Sequence, residues 1–265
     1  MCGISLDARC CSSVTRIALR LPSLPIWHGR IIDSAAIPRA KCDEPNRPST
    51  LTLVEAAAET LQSVLAAEHA GAGRIELCAN LKDGGTTPSP ELTTVVMEQC
   101  RIPVLVMIRP RAGSFVYTES ELDAMVRDIE LAHNMGVAGI VTGALAADDS
   151  VNIAQTRALF DAANGLPVTF HRAFDLTPNL DEALEQLVGL RATRILTSGG
   201  AATALEGSDT IAALVDQASG RITVVAGGGI RAHNVRELIE RTAVTEVHAR
   251  MLEERQMRDL VSTAG

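Results

Sequence analysis

The amino-acid sequence predicts an α/β fold, a closed (β/α)8 TIM barrel in a single domain, behind an irregular N-terminal extension. Three observations predict it. The chain has 265 residues, a size at which one barrel is common. From Thr52 onward, eight short β-branched or Leu-rich runs alternate with helical stretches. Their starts lie 22, 29, 36, 28, 27, 28 and 23 residues apart, room each time for a strand and a crossover helix. Hydrophobic residues make up 46% and aromatic residues only 2%, so the core is aliphatic, which disfavours an aromatic-rich sandwich. An open doubly wound sheet is the alternative, but eight units between Thr52 and the C-terminus fit closure better.

The first strand is TLVEA (52–56), followed by LQSVLAAEHAGAG, a helical stretch that ends in glycines, a C-terminal helix signal. The second strand is RIELC (74–78) and the third PVLVMIRP (103–110). SELDAMVRDIELAHNMG then reads as a helix with Ser120 and Glu121 at its start and Gly136 after its end. GIVTGAL (139–145) and PVTFHRAF (167–174) are strands four and five, and DEALEQLVGL follows as a helix with Asn179 as its N-cap. RILTSG (194–199) and ITVVAGGG (222–229) are strands six and seven, NVRELIERT is a helix with Asn234 as N-cap, and TEVHAR (245–250) is strand eight. The strands read as continuously apolar, as in a parallel sheet covered on both faces. Residues 1–50 lack such a period. They carry Arg9, Arg16, Arg20, Arg30, Arg39 and Arg47, and Asp7 is their only acid before Asp33. They read as a tail, a mispredicted start or a transit peptide, set apart from a barrel over 51–265.

The formal charge is 24 − 32 = −8, which argues against a general nucleic-acid or anionic-membrane binder. Of the six cysteines, Cys2, Cys10, Cys11 and Cys42 lie in the extension, and only Cys78 and Cys100 lie in the barrel, without CxxC or zinc spacing. A reduced, cytoplasmic protein is expected, with a nuclear location and an N-terminal transit peptide as alternatives. No run reaches the length of a membrane span.

Barrel chemistry sits at the carboxyl ends of the strands. Those positions hold Glu55, then Glu76, Cys78 and Asn80, then Arg109 and Arg111, then His171, Arg172 and Asp175. Thr197, Ser198, Gly227, Gly228, Gly229, His248 and Arg250 complete the set. A charged group buried without a partner costs several kcal/mol, so Arg109 and Arg172 are expected to pair with Glu76, Glu55 or Asp175. The functional reading is an anion-binding mouth formed by Arg109, Arg111, Arg172, Gly227, Gly228, Gly229 and Arg250. The glycines let backbone N–H groups approach the anion, and a helix opening near Asn234 adds its positive end. His171, Asp175 and Glu76 are the candidate acid–base groups. Arg172 follows His171 immediately and, as its neighbour on a strand, need not share its pocket. Cys78 is the one thiol at a strand end, Met107 reads as core, and Cys100, before strand three, reads as structural.

The segments RIELC (74–78), DGGTTPSP (83–90), VMIRPRAGSFVY (106–117), PVTFHRAFD (167–175), RILTSGG (194–200), ALEG (204–207) and AGGGI (226–230) resemble the copper homeostasis protein CutC family over roughly residues 53 to 250. The resemblance implies a (β/α)8 barrel, a link to copper tolerance, Cu(I) bound through cysteine, and a homo-oligomer, dimer or tetramer. Carried over, Cys78 matches the family cysteine after the second strand, while a second proposed thiol falls on Ala57. One thiol makes a weak Cu(I) site, since this ion takes soft ligands. Glu55, Glu76, Arg109, Arg111, His171, Arg172 and Asp175 match family positions at the barrel mouth. The chain departs from the family after His248, where two residues are missing and the loop is short, which weakens an anion site between the last two units. Two functions stand side by side: Cu(I) binding through Cys78, and an enzyme acting on a small phosphorylated or carboxylated metabolite.

Overall fold

The computed structural model describes residues 51–251 and 253–265. The expectations placed on residues 1–50 lie outside the described residues. Eight strands form the barrel: β1 (Leu53–Ala58), β2 (Arg74–Leu77), β3 (Val104–Met107), β4 (Gly139–Thr142), β5 (Val168–Phe170), β6 (Arg194–Thr197), β7 (Thr223–Gly227) and β8 (Glu246–Arg250). Each pairs in parallel with its sequence neighbours, and β8 pairs with β1 to close the barrel. The crossovers carry α1 (Leu61–His69), α2 (Pro90–Gln99), α3 (Glu119–Asn134), α4 (Ile153–Ala162), α5 (Leu180–Gly189), α6 (Ser208–Ala218) and α7 (Val235–Thr242), and α8 (Glu254–Ala264) follows β8. The predicted fold and all eight strands are present, with shifted ends: β1 runs on to Ala58, so Glu55 sits inside the strand rather than at its end.

Local chemistry explains the helix starts. α3 opens at Thr118, two residues before the expected Ser120. The Thr118 hydroxyl accepts from the Glu121 N–H at 3.3 Å, and the Glu121 carboxylate takes the Thr118 N–H at 2.8 Å, a reciprocal box. Asn179 caps α5 as expected, accepting from the N–H groups of Asp181 and Glu182. Asn234 occupies the cap position of α7 but does not cap it. Its oxygen accepts from the Arg231 N–H at 2.8 Å and its amide donates to the Gly229 carbonyl at 2.9 Å, so it ties the preceding loop together instead.

Side chains alternate in and out along each strand. The outward rows, among them Val54, Ala56, Ile75, Leu77, Val104, Val106, Ile140, Val168, Phe170, Ile195, Val224 and Val247, join the buried helix faces in one core. Each of these larger side chains stabilises the fold by roughly 1.5–3 kcal/mol through burial. The inward rows correct the expectation of continuously apolar strands. They place Glu55, Arg74, Glu76, Thr169, Arg194, Glu246 and His248 inside the barrel, with a small apolar patch of Cys78, Leu105, Met107 and Val141 on one wall. Barrel interiors are commonly filled by branched aliphatic side chains. Here charged groups replace part of that filling, and Glu55, Arg74, Glu246 and His248 among them pair with one another.

Candidate active site

The charged interior is built in tiers along the seam where β8 meets β1. At the bottom, Arg74 donates through Nε to Glu55 Oε2 at 2.5 Å and through Nη2 to Glu246 Oε2 at 2.5 Å. Arg194 Nε lies 3.2 Å from the same Glu246 oxygen, close enough to pair but not aligned as a hydrogen bond. Two arginines thus face two carboxylates, and the charges balance. One tier up, Glu55 Oε1 meets His248 Nδ1 at 2.8 Å. Burial alone would raise the Glu55 carboxyl. The hydrogen bond from His248 and the charges of His248 and Arg74 outweigh burial and hold it at about 2.

The top tier is Glu76. One of its oxygens lies 4.0 Å from His248 Nε2, and the other, Oε2, is buried with no hydrogen-bond partner. Burial, helped by the nearby Glu55 charge, pushes the Glu76 carboxyl up to about 7, against the pull of His248 and Arg74. For His248, burial would favour the neutral ring, but the Glu76 charge and the bond to Glu55 raise it above its ordinary value. The Glu76 carboxyl and the His248 imidazole, each raised above its ordinary value, therefore titrate together. Glu55, Glu76 and His248 offer ligand atoms within 4.8 Å of one another. Both Glu55 oxygens are already engaged by Arg74 and His248, so the geometry is that of an oriented acid–imidazole pair rather than a cation cage.

Across the barrel, β5 ends at Phe170 and the chain turns into a short 3₁₀ segment, Arg172–Leu176. His171 Nδ1 accepts from the Ala173 N–H at 3.3 Å, which leaves the ring proton on Nε2. That Nε2 is buried without a partner. Burial and the positive charge of Arg109 lower the ring to about 3, so His171 is neutral at physiological pH. Phe115 packs on it with ring centroids 4.7 Å apart, and a Cβ at Gly143 would lie 2.8 Å from the ring, so only glycine leaves it room.

Glu76, His248, His171, Met107 and Leu196 floor a cavity of about 370 Å³, and Arg172, Arg231, Arg250, Gly228 and Gly229 stand around its rim. Because the strand has already ended, His171 and Arg172 do share this pocket, and the alternation argument for separating them does not apply. Arg172 pairs with Asp175, as expected, and donates to Ser198 Oγ at 2.8 Å. Asp175 is consumed in that role: it also accepts from the N–H groups of Ser198 and Gly200 and from the Thr197 hydroxyl, and it does not line the cavity. Arg250 lines the rim, and its guanidinium donates to the Leu81 carbonyl. Gly228 has φ +116, and a Cβ there would lie 3.0 Å from Arg172 Nη1; Gly227 lies within β7, pressed against Leu196.

Two arginines sit elsewhere than expected. Arg109 pairs with no carboxylate among the described residues. Its guanidinium donates to the carbonyls of Asp83, Gly85 and Gly113 at 3.1, 3.0 and 2.8 Å and stacks on Phe115, so it staples two loops beside the pocket. Arg111 is held by Glu121 at 2.5 Å and by the carbonyls of Ser114 and Val116, outside the cavity lining. Cys78 follows β2, fully buried, with its sulfur 3.7 Å from the Ala58 carbonyl. Burial, then the charges of Glu76 and Glu59, push its thiol well above its ordinary value. The Cys78 sulfur and the Met107 methyl both border Gly85. Arg231, on the rim, was not singled out by the sequence. It lies in a loop, beyond the strand ends, where no periodicity marks it.

Taken together, a closed parallel barrel with ionisable side chains and arginines around a cavity at the carboxyl ends of its strands is a (β/α)8 protein. The chain belongs to the CutC family, whose model matches residues 52–252. A CutC family protein of Xanthomonas axonopodis pv. citri is 47% identical over 196 residues, 74% of this chain and 82% of the relative. The human copper homeostasis protein cutC homolog is 44% identical over 214 residues, 81% of this chain and 77% of the relative. The solved structure of copper homeostasis protein CutC from Streptococcus agalactiae superposes with a TM-score of 0.71 at 37% identity, covering 74% of this chain and 97% of that one.

Proposed function

We propose that this chain serves copper homeostasis, the role its relatives are named for, through a small-molecule site at the barrel mouth. There the Glu76–His248 pair moves a proton on a small phosphorylated or carboxylated compound held by Arg172, Arg231 and Arg250. The observation that carries the reading is the buried, unpartnered Glu76 carboxyl beside His248 on the floor of an arginine-rimmed cavity. Buried polar atoms are normally satisfied, and one left open inside a pocket marks a place for a ligand. Thermal shift against phosphate, sulfate, phosphosugars and organic acids tests it. A ligand at 100 times its Kd stabilises the fold by about 2.7 kcal/mol, and Arg172→Ala with Arg231→Ala removes the gain. No shift with any anion overturns the reading.

A Cu(I) ion carried as cargo is the second reading, supported by Cys78 and Met107 lying in one inward patch. The residues do not form a ready cage: the thiol is buried and held protonated, whereas copper binds the thiolate. Anaerobic Cu(I) titration of the native protein, Cys78→Ser and Met107→Leu decides it. Equal affinity in all three removes these ligands. The same reading places the protein in the cytoplasm, as a dimer or tetramer, without nucleic-acid or membrane partners. No helix among the described residues is long and apolar enough to cross a membrane, and light scattering reads the assembly.

A further inference from the structure

Two residues that line the cavity carry polar atoms left unmet among the described residues. Just after β5, the His171 Nε2–H is a buried donor without an acceptor among the described residues. On β2, Glu76 Oε2 is a buried acceptor without a donor. Both residues are only 3% exposed, and both line the same cavity. β3 and β4 lie between them on one side of the eight-stranded barrel and β6, β7, β8 and β1 on the other, so the two residues line the cavity from different strands. Buried polar atoms are normally satisfied, and two unmet ones on residues lining the same cavity describe the ligand that would satisfy them. It presents an oxygen to His171 and a hydrogen to Glu76, with an anionic group reaching the arginine rim.

We infer that the substrate is a small carbonyl compound bearing a phosphate or carboxylate, and that His171 is the donor that holds its oxygen while Glu76 takes a proton from the neighbouring carbon. This rests on the acid–base reading above and narrows it to one reaction class, enolisation. The Glu76 carboxylate removes the proton from the carbon next to the carbonyl. The C–H electron pair becomes a C=C bond, and the carbonyl π pair moves onto oxygen, where it accepts from the His171 Nε2–H. The proton then returns from Glu76 to the same carbon as the enolate collapses back to the carbonyl, so nothing is oxidised or reduced and no co-reactant is needed. A neutral imidazole suits this work. It donates without giving up its proton, and preorganised donors aimed at a developing oxyanion contribute about 10²–10³ in rate. Glu55 and Arg74 act as positioning residues that fix the His248 ring beside Glu76.

The test compares two probes, phosphoglycolohydroxamate, a planar enediolate mimic, and phosphoglycolate, which has the same anionic end without that oxyanion geometry. Carbon-bound hydrogen exchange of dihydroxyacetone phosphate and of pyruvate in D2O is followed in parallel by proton NMR. The native protein is expected to bind the hydroxamate at least about tenfold more tightly and to exchange one of the two carbonyl compounds. His171→Phe reduces the preference to about twofold or less and slows exchange about 100-fold. Should that variant fold poorly, nitrogen-15 NMR of histidine in the native protein reads the same point, since the Nε2 proton must shift downfield when the hydroxamate binds. Equal binding of both probes without exchange overturns the inference and leaves the anion site standing. Binding of neither probe, without exchange, overturns the anion site and the inference with it.

Discussion

Replacing Arg74 by methionine probes the charged stack at its base. Arg74 is 3% exposed and is the shared partner of Glu55, itself 1% exposed, and Glu246. Methionine fills much of the same volume but donates nothing. Glu55 then keeps only its bond to His248, and Glu246 keeps only the poorly aligned Arg194. Breaking a buried pair by removing one partner costs about 3–5 kcal/mol, most of it the charge left behind. For a domain of this size each kcal/mol moves Tm by about 2–4 °C, so Arg74→Met should lower it by roughly 6–20 °C. Urea denaturation at pH 7 with calorimetry measures both quantities. The double variant Arg74→Met/Glu55→Gln removes the orphaned charge and should recover part of the loss. A fall of less than about 2 °C, or a double variant less stable than the sum of the singles, would refute the reasoning that the stack is one mutually neutralising unit.

Glu76→Gln should flatten the pH dependence of stability between pH 4.5 and 7. The folded carboxyl titrates at about 7, above its ordinary 4.5, so its protonated form favours the fold; that contribution is complete below pH 4.5 and lost by pH 7. The variant should therefore gain on the native protein by about 3 kcal/mol across the window, and parallel urea midpoints at pH 5 and pH 8 would contradict this. Glu55 has the opposite sign, so stability falls again as the pH drops from 4.5 toward 2. Arg109→Lys keeps the charge but loses the fork that reaches three carbonyls. Hydrogen exchange should quicken over residues 81–87 and 111–116, with a stability loss of about 2–4 kcal/mol, and unchanged protection there would deny the stapling role. A chain beginning at Leu51 contains every described strand. It should melt close to the full chain, and a much lower melting temperature would give residues 1–50 a structural share.

The fold was readable because eight apolar runs at crossover spacing leave few topologies open. Strand ends were less so. β1 carries on through three alanines with no breaker before Glu59, and the α3 cap rests on a Thr118–Glu121 pairing two residues ahead of the serine that drew notice. The site residues were visible one by one as charges at or within apolar strands, but their partners were not. Glu55 meets His248 only through the register of the last strand on the first, Glu55↔His248, a relation that closure creates and local sequence does not encode. Arg109 could not be matched to its partners because they are backbone carbonyls, which every residue carries. His171 and Arg172 were separated by a strand alternation that had already ended at Phe170.

The seam between β8 and β1 also sets the order in which this protein can become functional. Its pairs join groups 193 and 172 residues apart, Glu55 with His248 and Arg74 with Glu246. During synthesis, β1 and β2 leave the ribosome long before their partners exist, so Glu55, Glu76 and Arg74 wait as solvated charges in an open sheet. Only when the eighth strand arrives do the carboxylates acquire the imidazole and the arginine a second acid. Contacts between residues far apart in the chain thus hold His248 beside the pocket floor, and contacts of such separation form slowly. A ligand that requires His248 beside Glu76 cannot bind a chain that stops short of β8.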